Sequence, residues 1–317
     1  MSKISTILGI AIGGTKSAVT LGKINGEELT VISKIVTATY PNDYKKTFDG
    51  IFSAIDGLNA SFDKIGVICG SPLDVKKGLI NCPPNLPDFN NLCVTELLGE
   101  KYHVPVTLIN DADACAIAEW KFGAGKGYEN MIFLTCGTGF GAGLILNGKL
   151  YTGALGMAGE IGHVRLDEYG NPGYGKQGSC EGYLSGPGVS RTAINIISTY
   201  LQRGEPTLLA KTINDAYKVT PKEVFACAEK GDTCAIEIFN FTAKKLGKTL
   251  AILVDLLNPD AIVLGGIYHR WEKYLNTETL LTLKSEALSD NYKAVKILPS
   301  ALKEEIDEYS SLCACLI

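Results

Sequence analysis

The sequence predicts an α/β fold of two lobes, and three observations predict it. Two short segments, ILGIAIGGTKSAV at Ile7–Val19 and IFLTCGTGFGAGLIL at Ile132–Leu146, share one design of apolar strand, Gly/Thr turn and apolar strand. Their turns lie about 120 residues apart, too long for a solenoid period and suited to a duplicated domain. The first third alternates strand-like runs with a helix-period stretch, as one α/β half would. Each turn reads as an anion grip, because glycine lets backbone N–H groups approach where a Cβ would clash and threonine adds an uncharged donor. The pair implies a nucleotide held between similar halves.

In order, the strand-like runs are Ile7–Ile12, Ala18–Lys23, Val31–Thr37, Lys64–Cys69 and Val106–Ile109, with a helix over Tyr44–Leu58. Tight turns such as Asn25-Gly26 make the sheet mixed rather than wholly parallel. A helix over Ala112–Phe122 leads to the second hairpin. The Gly-rich stretch Gly153–Gly188 has little periodicity and many polar residues, and reads as a long loop, functional or mobile. From Thr192 onward helix patterns dominate, broken by one strand, Ala261–Leu264, that ends in Gly265-Gly266. The most apolar long window, Ala235–Leu257, is interrupted by Glu237, Lys244, Lys245, Lys248 and Asp255. That marks an amphipathic core helix rather than a membrane span, and Asn258-Pro259 stops it.

A chain of 317 residues with 46% apolar content can bury a sizeable core and fits two lobes better than one. Net charge is −4 with Lys and Arg scattered, so there is no basic stripe of the kind a nucleic-acid surface needs. Ten cysteines, spread from Cys69 to Cys315 and mostly inside apolar runs, read as thiols of a reducing cytoplasm rather than a disulfide framework. Lys3 is followed by an apolar stretch, Ile7–Ile12, that is shorter than a signal-peptide core and runs into the glycine turn. It reads as a buried strand.

IAIGGTK, the IND of Ile109–Asp111, CGTGFGAG, the AGEIGH of Ala158–His163, the GSCEG of Gly178–Gly182 and the NPDAIVLGG of Asn258–Gly266 resemble, in order and spacing, the ROK family of sugar kinases and repressors. NCPPNLPDF at Asn81–Phe89 resembles the family's sugar-side loop. Ordered segments spanning almost the whole chain point to the family, not to a particular substrate. The resemblance implies the actin-like ATPase (ribonuclease H-like) fold, with a nucleotide and sugar cleft between two α/β lobes. The N-terminal lobe is expected over residues 1–112, completed by 300–317, and the larger C-terminal lobe over 113–299. The family's repressors carry a DNA-binding region before the first glycine turn; here twelve residues precede Gly13, so a stand-alone, glucokinase-like kinase is expected.

Phosphoryl transfer needs a positioned hydroxyl, a proton acceptor and donors around the moving phosphate. Asp111 lies between a strand and a helix. On the residues alone an N-cap of the helix beginning near Ala112 is the better reading of it, and the resemblance makes it the general base. Asp113 reads as a surface or capping residue. The resemblance places Asn110, Asp111, Glu160, His163 and Glu181 among the sugar contacts, with Asn85 a weaker addition. Taken alone, His163 would be an ordinary hydrogen-bonded histidine and Glu181 a solvated charge. Gly13, Gly14, Thr15 and Lys16, with Gly137, Thr138 and Gly139, would cradle the phosphates of ATP. Gly265 and Gly266 would admit its adenosine, or form only a turn after a strand. The expected partners are a small-molecule sugar and ATP with Mg2+, without nucleic acid or membrane; family members are often dimers, so a homodimer is compatible.

Two departures from the family pattern stand out. Most members bind a structural zinc through a histidine and three cysteines, but here the stretch reads GHVRLDEYGNPGYGKQGSCEG. Anchoring on Gly178 and Glu181 puts Pro172, Tyr174 and Ser179 at the cysteine positions, and an ungapped alignment from His163 recovers Cys180 alone. Structural zinc wants four ligands, so no structural zinc is expected, and the loop would be ordered by its glycine turns and by packing of Tyr169 and Tyr174. The family's first turn usually begins with an aspartate that holds magnesium through water, and that position is Ala11. A rival expectation follows from it: a catalytically weak or inactive sugar-binding sensor or regulator of the same fold.

Overall fold

The structure is a computed structural model that describes residues 4–317; Lys3 and the two residues before it, the start of the expected N-terminal lobe, lie outside the described residues. The chain divides into two compact units. One comprises the residues up to Phe133, Gly143–Ala158 and Ala301–Ile317; the other comprises Leu134–Ala142 and Gly159–Ser300.

In the first unit, strands β1 (Ser5–Ile12), β2 (Lys16–Asn25) and β3 (Glu28–Ala38) form an antiparallel meander, followed by helix α1 (Tyr44–Gly57) and strand β4 (Lys64–Cys69). Short strands β5 (Leu73–Asp74), β6 (Leu79–Ile80) and β7 (Leu92–Cys93) make a small sheet before α2 (Val94–Tyr102), β8 (Val106–Asn110) and α3 (Asp111–Phe122). The main sheet has the order β3-β2-β1-β4-β8, with β1, β4 and β8 parallel. The sheet is therefore mixed, as the turn chemistry predicted.

The near-continuous apolar run of β1 follows from burial on both faces. One face packs on α1, whose Phe48, Ile51, Ala54 and Ile55 recur at helical spacing and are buried. A fully buried side chain of this kind contributes roughly 1.5–3 kcal/mol. The other face carries α11 (Ile306–Cys313), the last α-helix of the chain, which lies directly on backbone. Gly9 and Gly66 are register partners in β1 and β4. A methyl at Gly9 would sit 2.7 Å from the Ser311 carbonyl carbon, and one at Gly66 would sit 2.7 Å from the Ser311 carbonyl oxygen. Only glycine admits the helix this closely.

Helix α3 is built of small buried residues, Ala112, Ala114, Ala116 and Ala118, and is enclosed on most sides. That corrects the reading of Asp113, which is 3% exposed and faces the interior rather than the surface. Further along α3, the fully buried Glu119 carboxylate accepts from the backbone N–H groups of Ala124 (2.7 Å), Leu302 (3.0 Å) and Ala301 (3.3 Å). It ties the returning C-terminal segment to the helix.

Strands β9 (Met131–Cys136), β10 (Phe140–Leu146) and β11 (Lys149–Leu150) open the second sheet. The Gly-rich stretch holds a 3-10 turn at Ile161–His163, a two-residue ribbon of β12 (Pro172–Gly173) and β13 (Lys176–Gln177), and α4 (Cys180–Leu184). Helices α5 (Gly186–Arg203), α6 (Ile213–Ala216), α7 (Pro221–Ala228) and α8 (Thr233–Leu257) follow. The chain then runs through β14 (Ala261–Leu264), α9 (Tyr268–Glu286), α10 (Ser289–Ala294) and β15 (Lys296–Pro299). The sheet order is β11-β10-β9-β14-β15. Strand β15, four residues long and absent from the sequence reading, pairs parallel with β14. Asn258 ends α8 in the left-handed conformation at φ 44°. Among the described residues no helix is long and apolar enough to cross a membrane, and all ten cysteines are free thiols.

Candidate active site

The candidate residues of the first unit collect at the ends of β1, β4 and β8. The Gly13–Lys16 turn closes between β1 and β2 with Gly13 N–H donating to the Lys16 carbonyl at 3.1 Å, and Thr39 N–H donates to the Thr15 carbonyl at 3.1 Å. Gly13, Thr15 and Lys16 are exposed residues. Asn85 lies against this turn: a methyl at Gly14 would be 2.8 Å from the Asn85 Cβ. Ala11 stands beside Ile68 of β4 and Ala18 of β2, with no carboxylate in its place.

Asn110 and Asp111 share the β8–α3 junction and divide its work. The Asn110 side-chain Oδ1 accepts from Ala112 N–H at 2.8 Å and Asp113 N–H at 3.3 Å, so the capping residue is Asn110, and Asp111 is the first residue of the helix. The Asn110 amide also donates to Ser71 Oγ at 3.0 Å. Ser71 follows β4 and was not singled out in the sequence; the Gly70-Ser71-Pro72 turn is the signal that would have found it. Asp111 Oδ1 accepts from Ala112 N–H at 2.8 Å, while Gly70 leaves open space beside Oδ2. Burial among the surrounding protein raises the Asp111 carboxyl above its ordinary value. The Ala112 N–H opposes the rise, and the Asp307 charge adds a smaller push upward. Asp111 is nonetheless an exposed residue, which tempers that push.

The second unit holds the other candidates. Gly137 N–H donates to the Gly139 carbonyl at 3.0 Å, and the Gly137 carbonyl accepts from Gly186 N–H at 2.8 Å. Thr138 and Gly139 are exposed at this turn. Glu181 Oε2 accepts from Phe140 N–H at 3.2 Å, so this carboxylate is held against the glycine turn rather than loose in solvent. Glu160 is exposed and His163 half-buried, at the two ends of the short 3-10 turn. The His163 ring meets Tyr174 edge-on at 4.8 Å, and its carbonyl accepts from Lys176 Nζ at 2.7 Å. Gly265 N–H donates to the Leu134 carbonyl at 2.9 Å, and Gly266, at φ 64°, leaves no room for a side chain beside the Cys136 backbone. The strand-end Gly-Gly thus lies against β9.

The positions that would carry zinc do not form a ligand set. Ser179 is buried and caps α4, accepting from Gly182 N–H at 3.2 Å. Cys180 accepts from the Thr249 hydroxyl at 3.4 Å. Among the described residues no group of three or more His, Cys, Asp or Glu is placed to hold a metal ion. Tyr169 is 76% exposed and does not order the loop by packing, whereas Tyr174, 59% exposed, packs on the His163 ring, and the glycine turns at Gly175 and Gly178 take φ of 75° and 66°.

The model of the ROK family matches residues 7–305. The chain belongs to the ROK family. Glucokinase of Streptomyces coelicolor is 33% identical over 264 residues, covering 82% of this chain and 81% of that protein. The crystal structure of a ROK glucokinase from Streptomyces griseus, in complex with glucose and AMPPNP, superposes with a TM-score of 0.78 at 26% identity, covering 98% of this chain and 99% of that one. Its likeness gives this ROK chain the actin-like ATPase fold. The Escherichia coli DNA-binding transcriptional dual regulator NagC is 29% identical over 251 residues, 79% of this chain but 58% of that protein.

Proposed function

We propose that this ROK protein is an ATP-dependent kinase of a hexose or N-acetylhexosamine, with Asp111 as general base. Glucokinase relatives support sugar phosphorylation. The observation that carries the finer reading is the division of labour at the β8–α3 junction: Asn110 caps the helix, which leaves the carboxylate of the exposed Asp111, raised in basicity, for a substrate hydroxyl. Asp111 Oδ2 takes the proton as the sugar oxygen attacks the γ-phosphate of MgATP. Asn85, Asn110, Glu160, His163 and Glu181 bind the sugar hydroxyls, whose loss would leave paired polar groups unsatisfied. The exposed turns Gly13–Lys16 and Gly137–Gly139 hold the phosphates, through the donors that do not close the turns themselves, and Gly265-Gly266 accommodates the adenosine.

Magnesium enters as part of the nucleotide substrate. Magnesium takes one or two carboxylates besides phosphate oxygens and water, so with Ala11 in place of an aspartate the phosphates, water and Asp111 would be left to hold the ion. Ala11 and the NagC likeness favour a second reading, a sugar sensor or regulator without useful turnover. A coupled ADP-release assay with MgATP and a panel of hexoses and N-acetylhexosamines separates the two. Sugar-dependent turnover that disappears in Asp111→Ala supports the kinase; sugars that raise the melting temperature without turnover support the sensor.

A further inference from the structure

Residues 164–179 link His163 to Glu181 within the second unit, and both of their tyrosines face solvent. Besides its own turns and the Tyr174–His163 ring contact, two helices hold this loop by polar contacts. Toward α5, the buried Asn171 amide donates to Thr192 Oγ1 at 2.8 Å and to the Gly188 carbonyl at 3.3 Å, and its oxygen accepts from the Asn195 amide at 3.2 Å. Toward α8, the hold centres on Lys245. Its side chain is 12% exposed, and its ammonium donates to Asp167 Oδ2 at 2.6 Å. The same ammonium lies 4.7 Å from the centroid of the Tyr183 ring and 5.1 Å from that of Phe241.

The contacts of α8 bracket Glu181. Tyr183, two residues after it, lies under the Lys245 ammonium, and its hydroxyl donates to the Tyr169 carbonyl of the loop at 3.5 Å. Cys180, one residue before it, accepts from Thr249, one helical turn beyond Lys245. Burial alone would raise the Asp167 carboxyl, but chiefly the hydrogen bond from Lys245 holds it below the usual carboxylate range. With the Lys245 side chain 12% exposed and the contact at 2.6 Å, the pair is more than a crossing of two surface chains.

We infer that Lys245 is a positioning residue for sugar binding: it clamps the 164–179 loop and α4 so that His163 and Glu181 keep their geometry without a structural metal. The assignment rests on the reading that these two residues contact sugar. Lys245→Met keeps length and removes the charge; Lys245→Arg keeps the charge and can stack on the same rings.

Hydrogen exchange on the free protein tests the clamp without turnover. Amides in 164–184 should exchange faster in Lys245→Met and return toward wild type in Lys245→Arg. The KM for sugar should rise about tenfold in Lys245→Met while that for MgATP stays within about twofold, a split that general destabilisation would not give. Wild-type protein dialysed against EDTA and returned to buffer should keep both its protection and its sugar-induced melting shift. Unchanged exchange and sugar KM in Lys245→Met, or lost protection after chelation, would overturn the inference. If Lys245→Met does not fold, Asp167→Asn provides the same exchange comparison from the other partner. A wild type that no sugar stabilises or turns over sinks the kinase reading separately, and exchange still decides for or against the clamp.

Discussion

Replacing Asp111 by Asn separates its chemical role from its structural one. The helix start survives the change, because Asn110 supplies the cap and an amide oxygen at 111 can still accept the Ala112 N–H that Asp111 Oδ1 accepts at 2.8 Å. What is lost is the proton acceptor, and general-base help of this kind contributes about 10²–10⁴ in rate, or ~3–5 kcal/mol of barrier. Stability should move the other way. Burial raises the folded-state value of the carboxyl, so its ionised form is disfavoured by folding at neutral pH, and that cost is absent below the unfolded value of about 3.9. The stability that a raised carboxyl contributes is present at acid pH and lost as pH rises through its folded value. Asp111→Asn should therefore melt above wild type at pH 7, with the gap closing as pH falls toward 4. Its kcat should fall by about two to four orders of magnitude while its KM for MgATP changes little. The wild-type kcat/KM profile should lose activity on the acid side at a pH above the ordinary aspartate range, a limb missing from the residual rate of the variant. Kinetics within tenfold of wild type, or a variant less stable than wild type at pH 7, would refute the assignment.

Three further expectations follow from named contacts. On the kinase reading, in which Asp111, phosphates and water would hold the ion, Ala11→Asp should change turnover by less than about threefold at saturating magnesium; a large gain in the ADP-release assay would identify a relic site instead. Glu119→Gln places an amide group against three buried backbone donors that now meet a carboxylate, and denaturant unfolding should show a loss of about 2–4 kcal/mol. Gly66→Ala puts a methyl 2.7 Å from the Ser311 carbonyl oxygen and should cost about 1–3 kcal/mol by the same measurement, with freer exchange of the α11 amides; a neutral result would mean the helix can lift off the sheet without penalty.

The periodic elements were legible because their signal is local. The helix expected over Tyr44–Leu58 is α1 at Tyr44–Gly57, and the helix expected over Ala112–Phe122 is α3 at Asp111–Phe122, one residue earlier because Asn110 rather than Asp111 caps it. The strand β15 escaped because four residues carry too little alternation to stand out, and only pairing with β14 makes them a strand. Asp113 was misread for a related cause: its neighbours in sequence are small, and nothing local reveals that the helix is enclosed on both sides.

The hardest segment to read was 164–179, and the cause is physical. A loop ordered by its own residues advertises them as turns, staples or ligand spacings, and the sequence reading looked for those in Tyr169, Tyr174 and the cysteine positions. Here the loop's own backbone bonds, such as Leu166 N–H to the Gly178 carbonyl at 2.7 Å, are joined by Thr192 and Asn195 on α5 and Lys245 on α8, each at least 21 residues from its loop partner. In the sequence Lys245 has only the guise of a charge interrupting an apolar window, and it served there to exclude a membrane span. Its second meaning depends on a fold that brings Asp167, Tyr183 and Phe241 around one ammonium. A charged residue that breaks an otherwise apolar helix is therefore worth testing as an anchor for a distant loop, and in this chain the loop it anchors carries candidate sugar contacts at both ends.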